Sequence, residues 1–136
     1  MAVTVIDQRR RLSPGARQLR VIKWSWSTGA AETTAAGGSV YAVTGEILGI
    51  KAEPDGTDKP ADNYDITIVD AINGMDVLNS DAINLPQAVT GVGNIRVPLD
   101  NLNSRPIYLV NESLSFSGGG LGNSAKGVFY LYVLEP

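Results

Sequence analysis

Apolar and polar residues alternate through most of this chain, which is the pattern of β-strands with one buried face. In RQLRVIKWSWS, one face of the predicted strand consists of Arg20, Ile22, Trp24 and Trp26, and the other of Leu19, Val21, Lys23 and Ser25. In NYDITIVD, the alternation separates Tyr64, Ile66 and Ile68 from Asp65, Thr67 and Val69. Both segments are therefore predicted to be strands of an antiparallel sheet.

The closing segment KGVFYLYVLE has apolar residues on both of its faces. Phe129, Leu131 and Val133 alternate there with Val128, Tyr130, Tyr132 and Leu134. One core covers only one face of a strand, so the other face is expected to contact a second subunit, and we predict a symmetric homo-oligomer, with a trimer favoured. The residues predicted to lie in the core or in this interface are Trp24, Trp26, Phe129, Tyr130, Leu131, Tyr132 and Val133.

Turn and loop signals separate the predicted strands. The SPG sequence ends an extended N-terminal segment, and Thr28–Ser39, which is rich in small residues, is predicted to be a mobile loop. Two glycines in the strand predicted at Val40–Ala52 indicate a bulge or the close approach of another backbone. Asn73-Gly74 predicts a hairpin turn with a returning strand in MDVL, and a long connection is predicted over residues 79–93.

Strand signals recur at spacings of about ten residues with almost no helical periodicity, as in antiparallel sandwiches and jelly rolls. The predicted fold class is all-β. We expect an antiparallel β-sandwich or jelly-roll-like domain over residues 18–136, preceded by an extended basic N-terminal arm over residues 1–17.

Composition narrows the available chemistry. A chain of 136 residues, 43% of them hydrophobic, is long enough for one domain with one core. The absence of cysteine and histidine excludes disulfides and thiolate metal sites, and removes the most frequent general base. No catalytic spacing is recognisable, so we expect a protein that is not an enzyme and that has no cofactor and no metal site.

Two segments resemble ligand sites but depart from the patterns in detail. SGGGLGNSAK lacks the G-x-G-x-x-G spacing of a phosphate-binding loop, because Asn123 stands at the third glycine position. The acidic stretch between Glu53 and Asp81 does not follow the residue order of an EF-hand. We interpret the first as a hairpin loop and the second as a solvated acidic stretch, and leave open whether residues 53–65 bind a cation.

Trp24 and Trp26 allow two interpretations. If they are exposed, they form an aromatic platform for sugars, and the chain is a carbohydrate-binding or adhesion module. If they are buried, each contributes on the order of 200 Å² to the core or to a subunit interface, which is the favoured interpretation. Exposure of these two side chains is therefore the feature that discriminates between the alternatives.

Charge is divided unequally along the chain. Residues 1–23 have six basic groups and one acidic group, a net charge of +5, whereas residues 24–136 have a net charge of −8. A sequence pI of 4.8 argues against nucleic acid as the partner of the basic segment, so we predict an acidic protein surface; the alternative is a solvated strand edge. The predicted partner-contact residues are Arg9, Arg10, Arg11, Arg17 and Arg20.

No membrane association is expected from the sequence. Its longest apolar run, Val128–Leu134, falls far short of the roughly 20 residues that span a bilayer. The N-terminus MAVTVIDQRRR has its apolar residues before its basic cluster, which is the reverse of a signal peptide, so synthesis in the cytoplasm is expected.

Four stretches together resemble a group of small tailed-bacteriophage virion proteins. They are VIKWSWSTGAA, VYAVTGEILGIKAEPDG, PADNYDITIVDAINGMDVL and NSAKGVFYLYVLEP. The resemblance implies a β-rich structural part of the virion that decorates the capsid shell, or that belongs to the neck or tail. The implied partners are the major capsid protein or another virion protein, and no functional residue carries over with the resemblance.

Overall fold

The computed structural model describes residues 1–11, 13–15, 17–88, 95–100 and 104–136. These residues contain no helix, which confirms the all-β prediction for the described part of the chain. The strands are β1 (Ala2–Arg11), β2 (Gln18–Ser27), β3 (Ala35–Pro54), β4 (Asp65–Asp70), β5 (Ile95–Arg96), β6 (Tyr108–Gly119) and β7 (Lys126–Glu135).

All seven strands belong to one antiparallel sheet. Their order across the sheet is β1-β2-β7-β3-β6-β4, and the short β5 pairs with β3. The closing strand β7 therefore lies between β2 and β3, which places it at the centre of one half of the sheet. β1 and β4 are the edge strands at the two ends of this order, and the two-residue β5 is a short further edge beside β3.

β3 is the longest strand, and it changes neighbours along its length. Its first part pairs with β6 as far as Glu46, and its second part pairs with β7 from Glu46 to Pro54. Register shifts interrupt the pairing, one of them at Gly45, which has a φ of 145°. A Cβ at Gly45 would lie 2.4 Å from the carbonyl oxygen of Leu134, so the position requires glycine. The predicted link between glycine and a bulge in this strand is confirmed.

The first part of β3 lies against the inner face of β2, although β7 separates the two strands in the sheet order. Trp24 Nε1 donates a hydrogen bond of 2.6 Å to the carbonyl oxygen of Gly38. A Cβ at Gly38 would lie 2.7 Å from the Trp24 ring, so glycine also permits this close approach. The sheet therefore curls back over itself.

One hydrophobic core fills the curl. Alternate side chains of β2 and β7 supply Ile22, Trp24, Trp26, Phe129, Leu131 and Val133, which are at most 3% exposed. β4 and β6 add Ile66, Ile68, Leu114 and Phe116, and the connection after β4 adds Leu78, Ala82 and Leu85. The predicted alternation in β2, in Tyr64–Ile68 and in β7 is confirmed on the inner face.

The loop predicted at Thr28–Ser39 is wrong for its second half. β3 begins at Ala35, and the buried Ala35 pairs with Gly118 of β6. Small residues have weak strand preferences, but pairing with a neighbouring strand overrides those preferences. The same pairing extends β6 to Gly119, so the first residues of the predicted SGGGLGNSA loop belong to a strand.

The hairpin predicted around Asn73-Gly74 is formed only in part. The returning segment makes an isolated bridge between Val69 and Asp76 and is not a strand. The side chain of Asp76 accepts the N–H of Ile68, which takes the place of a strand hydrogen bond. Part of the connection predicted at 79–93 lies outside the described residues, and the short strand Ile95–Arg96 follows it.

The N-terminal residues that we expected as an arm form the edge strand β1. Ten residue pairs join β1 to β2, from Ala2–Ser27 to Arg11–Gln18. A turn follows at Ser13–Gly15, where Gly15 has a φ of 77°. The basic segment thus occupies the end of an edge strand, next to the turn that leads into β2.

Candidate functional site

The sheet has an outer face opposite the core, formed by the other set of alternating side chains. On three of the strands the outer face holds the even-numbered residues of β1, the odd-numbered residues of β2 and the even-numbered residues of β7. Its apolar and aromatic members are Ala2, Ile6, Leu19, Val21, Val128, Tyr130, Tyr132 and Leu134, and its polar and charged members are Thr4, Gln8, Arg10, Lys23, Ser25, Ser27 and Lys126. These side chains are half-buried or exposed, whereas their inner-face neighbours on β2 and β7 are buried. Within the described residues, the outer face is therefore a broad surface of apolar, aromatic and polar side chains that meets solvent.

Strand register extends this surface across five strands. Ile6 lies beside Lys23, Lys23 beside Tyr130, Tyr130 beside Lys51, and Lys51 beside Ile95. Ile6 and Ile95 at the two ends of this row are each 51% exposed. Large apolar side chains thus flank a centre that is aromatic and cationic.

The centre of the outer face is an aromatic pair between two lysines. The rings of Tyr130 and Tyr132 are stacked, with centroids 6.0 Å apart and an angle of 10° between their planes. Lys23 Nζ and Lys51 Nζ lie 5.9 Å and 5.6 Å from the centroid of the Tyr130 ring. Burial raises the pKa of Tyr130, while a hydrogen bond to Glu53 raises the pKa of Lys51. At neutral pH Tyr130 is therefore neutral and Lys51 is a cation.

A shallow concavity marks the boundary between the outer face and the basic end of β1. It has a volume of about 580 Å³ and is lined by Gln8, Arg9, Arg10, Leu19, Val21 and Tyr132. Leu19, Val21 and Tyr132 of β2 and β7 line one part of it, and Gln8, Arg9 and Arg10 of β1 line the other. The concavity suits a ligand surface that is apolar in one part and anionic in another.

Arg20 occupies a different position from the other predicted partner-contact residues. It lies on the inner face and is 1% exposed. Its guanidinium donates two hydrogen bonds to Asp7, of 2.9 and 2.7 Å, and one each to the carbonyl oxygens of Tyr41 and Ala42. Glu135 lies 3.7 Å away on the other side. The hydrogen bonds to Asp7 raise the pKa of Arg20, and the side chain joins β1, β2, β3 and β7 instead of facing a partner.

The remaining predicted arginines are exposed at the end of β1 and beside it. Arg9 donates a hydrogen bond of 2.9 Å to Glu135. Arg10, Arg11 and Arg17 are exposed, and none of them makes an ion pair with another described residue. Because side chains alternate along β1, Arg9 and Arg11 lie on the inner side of the strand and Arg10 lies on the outer face. The structure thus concentrates uncompensated positive charge at this corner of the sheet.

The two edges of the sheet differ in how their backbone groups are paired. Along β4, Ile66 N–H donates to Ala82, Val77 N–H donates to Ile68, and Leu85 N–H donates to Tyr64 just before the strand, each at 2.8 Å. The connection after β4 therefore covers that edge. No described residue pairs with the outer edge of β1.

Trp24 and Trp26 belong to the core of the protein. Trp24 is fully buried and Trp26 is 3% exposed, so neither side chain forms a surface platform for sugars. Tyr130 and Tyr132 lie on the outer face, while Phe129, Leu131 and Val133 lie inside. β7 therefore divides the predicted core-or-interface residues between the core and the exposed surface.

The acidic and glycine-rich segments use their polar groups for local structure. Asp55 accepts the N–H groups of Thr57 and Asp58, which lowers the pKa of its carboxyl group. Leu121 of the glycine-rich loop is buried and bonds through its N–H to Thr33. Within the described residues, no three carboxylate, histidine or cysteine side chains are placed to hold a metal ion.

A second depression, of about 290 Å³, lies beside the end of β4. Its acidic lining residues are Asp70, Asp76 and Asp100. The carboxyl group of Asp70 hydrogen-bonds Glu112, which raises the pKa of Glu112. Negative charge is thus collected at the covered edge of the sheet, and positive charge at the open edge.

Sequence reasoning missed the row from Ile6 to Ile95 and the role of Asp7. Lys51 and Ile95 join the row only because β7 and β3 are neighbours, which no local pattern reveals. Asp7 had a visible signal, because it is the one acidic residue among the first 23, opposite six basic residues. Its pairing with Arg20 explains its place there.

In comparisons with known proteins, no family model, no curated protein and no solved structure matches this chain. None of the described residues belongs to a helix with the length and apolar character needed to cross a membrane.

Proposed function

We propose that this chain is a non-enzymatic structural protein of a bacteriophage virion, where it decorates and stabilises the capsid shell by contacting more than one subunit. The observation that carries the proposal is the combination, on one sheet, of an outer face with a row of exposed apolar and aromatic side chains and a basic corner whose charge no described residue compensates. A bridging protein needs two contact surfaces on a rigid body, and many weak contacts of this kind add up by avidity across a shell.

The proposed partner of the basic corner is an acidic surface of the major capsid protein or of another virion protein. Arg10 and Arg11 are exposed and make no ion pair with another described residue, so their charge remains for a partner. Arginine suits this contact because its planar guanidinium pairs with carboxylates in two-point geometry. The proposed location is the virion, after synthesis in the host cytoplasm.

The proposed partner of the outer face is a second copy of the chain, in a symmetric oligomer with a trimer favoured. Tyr130, Tyr132, Val21 and Leu19 would lose their remaining exposure in such an interface, which is favourable for apolar and aromatic side chains. The curled sheet also supports a two-layer β-sandwich with β3 shared between the layers. Light scattering tests the oligomer, and a monomer at high concentration would contradict it.

A binding assay to shells that lack the protein tests the proposed function. The double variant R10A/R11A should bind more weakly than wild type by about 0–2 kcal/mol per copy, since an exposed ion pair contributes about 0–1 kcal/mol. The loss should shrink at high salt, because salt screens exposed charges. K59A/R105A is the matched control, since it removes two exposed cations elsewhere on the surface.

Electron microscopy of purified particles tests the location directly. Density for the protein on the head surface would support decoration of the shell, whereas density at the neck or tail would move the same structural role to that site. Wild-type protein that does not bind shells and is missing from particles would overturn the proposal.

A further inference from the structure

The open edge of β1 presents backbone groups from alternate residues. At the end of the β2–β7 ladder, Thr28 N–H donates a hydrogen bond of 2.9 Å to the carbonyl oxygen of Ala125. In an antiparallel ladder, residues that bond to one neighbour alternate with residues that bond to the other. Even-numbered residues of β2 therefore bond to β7, and odd-numbered residues bond to β1.

The register between β1 and β2 determines which residues of β1 bond to β2 and which direct their backbone groups outward. Ser27, Ser25 and the following odd-numbered residues of β2 pair with the even-numbered residues of β1. The N–H and C=O groups that point away from the sheet therefore belong to Val3, Val5, Asp7, Arg9 and Arg11. No described residue accepts or donates a hydrogen bond on that side.

The side chains of the same residues fasten β1 to the rest of the protein. Val3 and Val5 pack against the core. Asp7 is bonded to Arg20, and Arg9 is bonded to Glu135. The edge is thus held in an extended conformation with its free backbone groups directed outward, which lowers the entropy lost when a further strand pairs with it.

Charge at this edge favours one kind of occupant. Arg9, Arg10 and Arg11 lie at the end of β1, and Arg17 follows the turn after it. Asp7 is the one acidic residue of β1, and its carboxylate is already bonded to Arg20. A second copy of β1 would therefore bring three further arginines and no available carboxylate. An acidic segment would supply carboxylates to these arginines.

We propose that the open edge of β1 binds an extended segment of another protein as an additional antiparallel strand, with acidic residues at the start of that segment. Antiparallel pairing places the first residues of the added strand beside Arg9–Arg11, where carboxylates meet the guanidinium groups. Backbone hydrogen bonds then supply affinity, and charge supplies direction. This inference deepens the proposed function and rests on it for the source of the segment.

Two synthetic peptides of identical composition test the direction of binding. One begins with three glutamates followed by alternating threonine and valine, and the other has the glutamates at its end. The first should bind the full-length protein about tenfold more tightly at low salt, because each exposed ion pair adds a little and three add to about one decade. Equal affinities, or the reverse order, would overturn the proposal.

A pair of variants at Arg9 tests the backbone contact. R9A and R9P both lose the side chain and its bond to Glu135, but only R9P loses the outward N–H group and blocks the edge with its ring. R9A should keep peptide binding within about threefold, whereas R9P should abolish it while retaining the circular dichroism spectrum of a β protein. Equal binding of both variants would overturn the proposal.

Two measurements on the wild-type protein do not depend on how R9P folds. Peptide binding should slow amide hydrogen exchange at Val3, Val5, Asp7 and Arg9. N-methylation of every second peptide residue should abolish binding when the methylated residues are the set that bonds to β1, and should leave binding intact when they are the other set. Unchanged exchange, or self-association of the protein through β1 without peptide, would count against the inference. If R9P still binds shells, the strand contact at β1 is contradicted and the proposed function stands. If the protein binds the peptide but not shells, the proposed function is contradicted and the strand contact stands.

Discussion

The two edge strands of this sheet are protected from unwanted pairing in different ways. β4 is covered, because the connection that follows it returns along the strand and bonds to Ile66 and Ile68 and to Tyr64 just before the strand. No described residue hydrogen-bonds to the outer edge of β1, although Gly37 and Gly38 of β3 lie close to the Val3 side chain. The last three residues of β1 are arginines. An uncovered edge can pair with any extended chain, and charge limits that pairing to chains of opposite charge. The covered edge ends the sheet in backbone hydrogen bonds, whereas the charged edge has backbone groups that no described residue bonds.

Each edge also depends on one charged side chain that bonds to several groups at once. At the covered edge, Asp76 accepts the N–H groups of Ile68, Leu78 and Ser80. At the open edge, Arg20 donates to Asp7 and to two carbonyl groups of β3. A carboxylate satisfies backbone donors where the chain turns back, and a guanidinium satisfies acceptors where the sheet curls. Substituting either residue tests how far the two edges are independent.

The largest expected effect is at the open edge, from Arg20→Met. The substitution leaves Asp7 without its cation, leaves Glu135 with Arg9 alone, and removes the guanidinium donor to two carbonyl groups of β3. We expect a loss of about 3 kcal/mol in the free energy of unfolding, at the lower end of the range for breaking a buried pair, because Asp7 is partly exposed. Urea unfolding measures the loss.

The control for Arg20→Met is Arg9→Ala. Arg9 shares Glu135 with Arg20, but its side chain is 48% exposed, so the expected loss is less than about 1 kcal/mol. Similar stabilities for the two variants would show that the buried guanidinium does not fasten β1 to the sheet.

A smaller effect is expected at the covered edge, from Asp76→Ala. The loss of the carboxylate leaves three backbone N–H groups without an acceptor. We expect a loss of about 2–3 kcal/mol, since solvent reaches some of these groups once the connection loosens. Amide exchange should accelerate at Ile68 and Leu78 but not in β1, because the two edges are fastened by different residues.

Asp62→Ala is the matched control for Asp76→Ala. The exposed Asp62 accepts one hydrogen bond, of 3.2 Å, from the N–H of Gln87. Its removal should change the free energy of unfolding by less than about 0.5 kcal/mol. A loss as large as that of Asp76→Ala would mean that acidic charge in general, and not the bonding of Asp76, stabilises this part of the protein.

The sequence predicts the inner faces of this sheet well and its long-range contacts poorly. Alternation places Ile22, Trp24 and Phe129 on the buried faces of their strands, because every second residue of a strand lies on the same face. Alternation also places Arg20 on that inner face, but the pattern does not show what lies opposite it. That depends on the register of β1 and on the curl of β3.

The outer face illustrates the same limit. The apolar outer positions of β7 are visible in KGVFYLYVLE, and they led to the expectation of a covered second face. The row that joins Tyr130 to Lys51 and Ile95 follows from strand order, and strand order is fixed by contacts between distant parts of the chain. Ala35 is a similar case, since its neighbour in β6 and not its own preference places it in a strand.

The smallest expected effect is a difference between the two edges in how the free energy of unfolding depends on pH. At the end of β4, the carboxyl group of Asp70 accepts the N–H of Ile72 and hydrogen-bonds Glu112, which raises the pKa of Glu112 above its ordinary value of 4.5. The folded state therefore holds this proton more tightly than the unfolded state does. The resulting stabilisation is fully present below pH 4.5 and is lost as the pH rises through the raised pKa.

Glu112→Gln removes the titrating group, so the variant should gain stability relative to wild type as the pH rises from 4.5 towards neutrality. The gain should be less than about 1 kcal/mol, because Glu112 is only partly buried and water screens the interaction. R10A/R11A at the open edge should keep the pH profile of the wild type, since arginine does not titrate in this range. Urea unfolding at a series of pH values measures both variants. Parallel profiles for Glu112→Gln and wild type would show that the covered edge holds no shared proton, and the two edges would then differ in their hydrogen bonding alone.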